Sequence, residues 1–383
     1  MGGHGARCTL KCKKRASLDM IGTAVLIDKP AVYIESVALD IGWRDETRNL
    51  SELIFRTVRR ALDESADGLT GIESVVLAAH DLVDGRSLTS MVTAPAAGAY
   101  LRDEIRYGDD GAAAFAAAVV RIEAGEASRS IVATWGRASE HDVGAVSRAL
   151  FDPIFSAALG LDELAVSAMR AQAWLHQGGR DSDRSLASIR RRNAARDNPR
   201  AVRRMPPATA PCYPLQPDDL PLWADVVAAV VLSSKGGVAR VAGLGQSSEP
   251  YAIGDRELPA MHSARRAAIA ALHEANIDVG SIDIFEIDGL TLFDEAIALE
   301  AIGLAPKGQG LTVLAHDGRV NASGGSAAGY CAPAMGLARI VEATLQLQGR
   351  AGAIQRPGAR KALATGSSIV AAQTHTAVVL EAT

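Results

Sequence analysis

The segment Gly108-Asp109-Asp110-Gly111, the helix-like run from Ala112 to Glu123 and the strand-like Ser130 to Trp135 constrain this chain more than any other stretch. A turn delivers an Ala-rich helix, and the helix delivers a strand. Upstream, Ala31 to Leu39 alternates like a strand, and Ile72 to Ala79 has the continuous apolar character of a buried one. Between them Leu50, Leu53, Ile54, Val58, Ala61 and Leu62 recur at helical spacing over Leu50–Glu64. Gly85 to Tyr100 reads as loop plus a short helix. The order βαβαβ is half of a doubly wound sheet, so the fold class is α/β. Aromatics are only 4% of the chain while Ala and Gly abound, so its helices must pack closely through small side chains.

The pattern then repeats. Val226–Leu232 and Val238–Gly243 read as strands, Ser263–Ala275 as a helix and Ile282–Ile287 as a buried strand. Leu292–Ile302 and Gly336–Gln346 read as helices, the second equivalent to the central helix of the first half. Ile369–Ala372 and Ala377–Glu381 are expected to pair as closing strands. Two similar halves in one chain suggest duplication. Between them, about 139–220 differs in composition. It holds helical patterns at Leu161–Leu175 and Asp183–Ala195, a Pro-rich connector, and an arginine cluster running from Arg180 to Arg204. It reads as an insertion folded onto the core. The expected division is a basic disordered leader over 1–30, a first half over 31–235 that includes the insertion, and a second half over 236–383.

The leader, with Arg7, Lys11, Lys13, Lys14 and Arg15, lacks the apolar core of a secretory signal and is expected to be a disordered extension or to follow from an upstream start codon. A formal net charge of −4 gives no general reason to expect nucleic acid. No apolar run approaches the roughly 20 residues that span a membrane. Cys8, Cys12, Cys212 and Cys331 are scattered as reduced thiols would be, so a cytoplasmic location is expected. Cys8 and Cys12 have the spacing of half a metal site but no second half, and no metal is expected.

Several separate stretches carry a resemblance. Ala124-Gly125-Glu126 closes the central helix, and Ile131–Ser139 follows as strand and turn. Asn193 to Pro199 has the form Asn-x-x-x-x-Asn-Pro. Asp225–Leu232 resembles an Asp-Gly-Ala-Ala-apolar strand with Val226 in place of Gly. Glu300-Ala301-Ile302-Gly303-Leu304, Pro306-Lys307-Gly308 and Asn321-Ala322-Ser323-Gly324-Gly325 complete the set. Together they resemble the thiolase superfamily, in particular the sterol-carrier-protein-type thiolases, from Ala31 to the C-terminus. The resemblance implies two fused βαβαβ halves in five layers, α-β-α-β-α, with a helical loop domain inserted.

Thiolases of this type use a Cys nucleophile, a His in His-Asp-x-Phe and a His in Gly-His-Pro. Counting back from Gly111 puts Gly108 at the Cys. Aligning back from Glu300 puts Asp288-Gly289-Leu290-Thr291 at the second motif. Gly329-Tyr330-Cys331 falls at the third, with Tyr330 for the His under a one-residue gap and Cys331 under none. With all three parts replaced, an acyl-cysteine intermediate is not expected. Thiolase-like steroid aldolases use tyrosines near these positions for retro-aldol cleavage, so Tyr330 and Asp288 become the acid/base candidates. Asp109 and Asp110 read as N-caps first and as a base pointing into the vacated pocket second. Cys331 reads as an inert buried thiol or a relocated nucleophile. His80-Asp81 and His141-Asp142 match no motif.

The expected activity is non-classical chemistry on an acyl-CoA or other acyl thioester, by aldol or retro-aldol C–C bond chemistry. The alternatives are a catalytically silent subunit that binds acyl-CoA or scaffolds a partner enzyme, and acyl transfer with another nucleophile. Coenzyme A is expected as substrate or ligand rather than as a tightly bound cofactor. Arg190, Arg196 and Arg200 are the candidates for its phosphates, since guanidinium forks suit phosphate, and Ser323 and Gly324 for further contacts. The resemblance also implies a homodimer and a zinc-ribbon/OB-fold partner. An open tunnel from the insertion to Tyr330 and Asp288 is expected of an enzyme, and a plugged one of a scaffold.

Overall fold

The computed structural model describes residues 29–383, so the expectations for the basic leader and for Cys8 and Cys12 lie outside the described residues. The first half runs β1 (Tyr33–Gly42), α1 (Leu50–Glu64), β2 (Ser74–Ala78), the short α2 (Asp81–Asp84) and α3 (Ser90–Thr93), β3 (Asp103–Tyr107), α4 (Gly111–Glu123) and β4 (Arg129–Arg137). The chain leaves the sheet for α5 (Val143–Leu150), α6 (Glu163–His176) and α7 (Arg184–Asp197) and returns as β5 (Asp225–Ser233). The second half runs β6 (Ala239–Ser248), α8 (His262–Ala275), β7 (Ile284–Glu286), α9 (Leu292–Ala301), α10 (Gly310–His316), α11 (Met335–Leu347), β8 (Lys361–Ser367) and β9 (Thr374–Ala382).

Among the described residues nine strands lie in the order β3-β2-β4-β5-β1-β6-β9-β8-β7. β2 pairs parallel with β3 and β4, β7 pairs parallel with β8, and the remaining pairs are antiparallel. The halves meet at a short seam, where the β1–β6 register pairs Tyr33 with Arg240 and Ile34 with Ala239. Apolar side chains of both half-sheets enclose α4 and α11 in one core. The outer face of the first half is covered by α1, and that of the second by α8, α9 and α10. The result is α-β-α-β-α.

Helix composition follows from these layers. α1 has one wet face, so it is amphipathic, burying Leu50, Leu53, Ile54, Val58, Ala61 and Leu62. Asn49 and Glu52 form a capping box at its start. α4 has sheet on both sides and α11 beside it, so Ala112, Ala114, Phe115, Ala118 and Ile122 are buried around most of its circumference. A Cβ on Gly111 would stand 2.7 Å from the Leu337 Cβ, so glycine is what lets the two central helices approach there.

The motif residues of the insertion and second half clamp the layers together. Asn198 Nδ2 donates to the Ser323 carbonyl and to Glu342 Oε1, each at 3.0 Å. Asn321 accepts from the Ile287 N–H at 2.7 Å and donates to the Ile287 carbonyl and to buried Glu295. A buried amide with all its partners in place fixes the register of the segments it joins.

The structure departs from the sequence expectations at several elements. Ile369–Ala372 is not a strand but the turn between β8 and β9, with Ala371 and Ala372 at φ of 52° and 46°. The true closing strand, β8, hid because Lys361–Ser367 is poor in β-branched residues. β3, an exposed edge strand rich in charge, and α5 also carried too weak a pattern to be read.

Candidate functional site

The N-termini of α4 and α11 converge at one buried carboxyl. Asp110 caps α4, accepting from the Ala112 N–H at 2.8 Å, and accepts from the Gly336 N–H of α11 at 2.8 Å. Glycine is required around it, since a Cβ on Gly336 or Gly366 would lie 2.0 or 2.2 Å from Asp110 Oδ2. Two helix N-termini favour the anion, yet burial and then the nearby Asp288 charge hold the Asp110 pKa well above the usual carboxylate range. Asp288 is the more easily ionised of the two, so its charge falls on Asp110.

Asp288 follows β7, next to the end of β8. Its Oδ2 accepts from the Ser367 hydroxyl at 2.7 Å and the Ser367 N–H at 3.1 Å, and its own N–H donates to Thr365 Oγ1 at 2.9 Å. Burial pushes its pKa up to about 6, against the pull of Ser367 and Arg339. Tyr330 is tied by its backbone to Leu222 and Ala224, and its ring meets Trp223 edge-on at 5.7 Å. Burial, then the charges of Asp288, Glu163, Asp110 and Asp294, raise the phenol pKa well above its ordinary value, so the hydroxyl keeps its proton.

Tyr330 and Asp288 line one cavity, whose enclosed space is about 60 Å³. Its apolar wall includes Val83 of α2, Val143, Val146 and Leu150 of α5, Met261 and Leu290; its polar wall holds Glu163, Arg170, Asp294, Ser367, Ser368 and His375. The insertion closes it through the β8–β9 turn. The Ala371 N–H donates to Glu163 Oε1 at 2.7 Å, and the Ala371 carbonyl accepts from Arg170 and Arg256. Arg170 also pairs with Asp294, while its Nε is buried without a partner among the described residues. Burial pushes Glu163 up to about 8 and His375 down to about 3, so near neutrality the imidazole is uncharged.

The other expected site residues are scattered. Gly108 lies between β3 and α4 outside this cavity, and a Cβ there would find His80 no nearer than 4.0 Å. Asp109 accepts from the Ile369 N–H at 2.8 Å. Cys331 does line the cavity, but burial pushes its thiol pKa upward, and Cys212 is raised as well. Neither has the low-pKa setting of a nucleophilic thiolate.

Four of the five residues expected to hold coenzyme A are engaged in packing. Arg190 donates to the Leu314 and Val320 carbonyls, and Arg200 pairs with buried Glu342. Ser323 donates to Glu286 at 2.6 Å and accepts from Arg339 at 2.7 Å, and Gly324 (φ 99°) presses against the Ala195 backbone. Arg196 instead joins Arg192, Arg203 and Arg204 along a separate groove of about 200 Å³ beside the insertion. Arg204 stacks on Trp43 and donates to the Trp223 carbonyl at 2.8 Å, so this groove borders the Trp223–Tyr330 pair. Of the His-Asp pairs, His80 caps α2, while His141 lines the main cavity with its Nδ1 buried and unpartnered among the described residues. Glu163, Arg170 and His375 went unread because no local pattern marks them; tertiary packing alone gathers them. No cluster of metal-ligand type and no helix able to cross a membrane occurs among the described residues.

Residues 245–381 match the thiolase C-terminal domain-like family. Sterol carrier protein 2 of Homo sapiens is 35% identical over 107 residues, 26% of this chain and 20% of that protein. Acetyl-CoA acetyltransferase of Methanothermobacter thermautotrophicus is 28% identical over 233 residues, 54% of this chain and 61% of that protein. The chain thus spans about a fifth of the first relative and three fifths of the second. A solved structure described as the Ltp2-ChsH2(DUF35) aldolase superposes with a TM-score of 0.76 at 16% identity, over 92% of this chain and 98% of that one. Human mitochondrial 3-ketoacyl-CoA thiolase gives 0.71 at 14%, over 92% and 99%. At such identities the likeness shows the fold, and that fold is the thiolase fold.

Proposed function

We propose, from the premise that this chain is a thiolase-superfamily protein, that it cleaves or forms a C–C bond in an acyl thioester without an acyl-cysteine intermediate. The observation that carries the reading is that Tyr330 and Asp288 share one open cavity with no activated thiol among its described residues. In the retro-aldol direction, ionised Asp288 takes the proton of a β-hydroxyl. The Cα–Cβ bond breaks, leaving a carbonyl compound and a thioester enolate. The Tyr330 O–H then protonates the enolate carbon, and the proton held by Asp288 balances the one the phenol gave. A phenol kept protonated among carboxylates suits the acid, and a carboxyl near pH 6 suits the base.

Coenzyme A is proposed to lie with its phosphates in the groove beside the insertion at Arg196, since Arg192 is paired with Asp218 and Arg203 is held by the Ala195, Arg196 and Asn198 carbonyls. A second copy is proposed to pair along β3, whose outer edge is unpaired and whose neighbours Met91, Tyr100 and Leu101 are exposed. A partner of the DUF35 kind, as in the similar aldolase, is the proposed counterpart of the implied zinc-ribbon/OB-fold protein. Incubation with a panel of 3-hydroxyacyl-CoA esters should release an aldehyde and a shortened acyl-CoA, with no mass added to the polypeptide. Unchanged turnover in Tyr330→Phe, or an acylated sulfur on the chain, would remove this mechanism. Tight acyl-CoA binding with no cleavage, even with the partner present, would favour the silent subunit.

A further inference from the structure

His375 stands at the start of β9, directly opposite Ser367 of β8, the residue that holds Asp288. Directly opposed residues of antiparallel strands project to the same face, and both line the cavity. Behind His375, a hydrogen-bonded chain runs outward. The His375 Nδ1 and Ser263 Oγ are 2.8 Å apart, and Ser263 Oγ donates to Glu249 Oε2 at 2.8 Å. Ser263 is fully buried at the start of α8, while Glu249 is partly exposed.

The polarity of this chain follows from counting protons. A carboxylate only accepts, and a serine hydroxyl has one proton to give. Ser263 gives it to Glu249, so Nδ1 of His375 must carry the hydrogen that Ser263 accepts. A neutral imidazole then has its lone pair on Nε2, and no described residue bonds that atom.

We propose that Glu249, Ser263 and His375 form a proton wire between solvent and the cavity, with His375 Nε2 as the atom where a proton enters. A proton leaving the cavity binds Nε2, the Nδ1 hydrogen passes to Ser263, and the Ser263 hydrogen passes to Glu249. One N–H bond forms and one breaks, so the ring changes tautomer and is neutral at both ends of the transfer. An imidazole too deeply buried to hold a positive charge can still conduct by this route. In retro-aldol chemistry the wire would reset the Asp288–Tyr330 pair, a role that rests on the function proposed above; the wire itself stands on the hydrogen bonds.

The test needs no substrate. The protein is labelled with ¹⁵N-histidine, and the His375 signals are assigned by their loss in His375→Gln. The spectrum should show the Nδ1–H tautomer, and Ser263→Ala should abolish it. Glu249→Gln keeps an oxygen to accept from Ser263 and so should keep the tautomer, but it cannot take the proton. Exchange of the Nδ1 hydrogen with water should then slow by about tenfold or more. An Nε2–H tautomer in the unaltered protein overturns the proposal, as does exchange undiminished in the folded Glu249→Gln variant. Neither result bears on whether acyl thioesters are cleaved.

Discussion

Replacing Asp110 by Ala tests whether one carboxyl holds the two central helices at their N-termini. The side chain accepts from Ala112 N–H and Gly336 N–H, each at 2.8 Å, in a fully buried position. Alanine leaves both donors without a partner, and each such loss costs about 1–3 kcal/mol. Two effects oppose this. Burying the carboxyl is itself unfavourable, which is why its pKa rises, and the vacated space is polar enough to admit water. The net loss should be about 3 kcal/mol, above that of an ordinary exposed cap. Urea unfolding followed by circular dichroism should show a lower midpoint with an unchanged slope. Asp110→Asn retains one acceptor but turns an amide NH₂ toward the second donor, so its midpoint should fall between the two. A loss below about 1 kcal/mol for Asp110→Ala would refute the bridging argument, because the cost of burying the carboxyl would then cancel its two bonds.

Three further outcomes follow from the same geometry. If Asp288 is the base, kcat/KM should rise as pH climbs through about 6, where the carboxyl loses its proton, and then level off; Asp288→Asn should lower kcat by about 10²-fold or more, and a rate flat from about pH 5 to 8 would exclude that role. Glu163 has a folded pKa of about 8 against an ordinary 4.5, so the stability its protonated form brings is complete below about 4.5 and lost as pH rises through 8. Glu163→Gln keeps an acceptor for the Ala371 N–H without the charge, and should match the unaltered protein in thermal midpoint near pH 4 and exceed it near pH 9; equal midpoints at both would show that the burial argument fails. The chain should be a dimer by light scattering, and Tyr100→Glu combined with Leu101→Glu should make it a monomer; an unaltered chain that stays monomeric at high concentration would rule out pairing along β3.

How much the sequence disclosed depended on how local each signal was. α1 and α4 could be read because period and composition report the number of buried faces: one for the helix under the first half-sheet, nearly all for the helix between sheets. The Asn198 and Asn321 motifs were legible through the family resemblance, and each side chain joins backbone groups to a buried carboxylate. β8 and β3 were not, since Ala- and Gly-rich or charged strands gain their pairing from neighbours rather than from their own pattern. The arginines show a related limit. Composition counts guanidinium groups, but only packing decides that Arg190 and Arg200 are consumed by carbonyls and Glu342 while Arg196 still faces a groove.

The sequence by itself determined the doubled α/β layout, the absence of a thiol at Gly108, and the pairing of Tyr330 with Asp288 as candidates. Only the tertiary structure joined α6 to the β8–β9 turn, and so drew Glu163, Arg170 and His375 to one wall. These groups come from segments up to 212 residues apart in the chain, Glu163 to His375, and no local propensity links them. The pKa values of Glu163 and His375 are likewise set first by burial, a property of the assembled layers that no single segment carries.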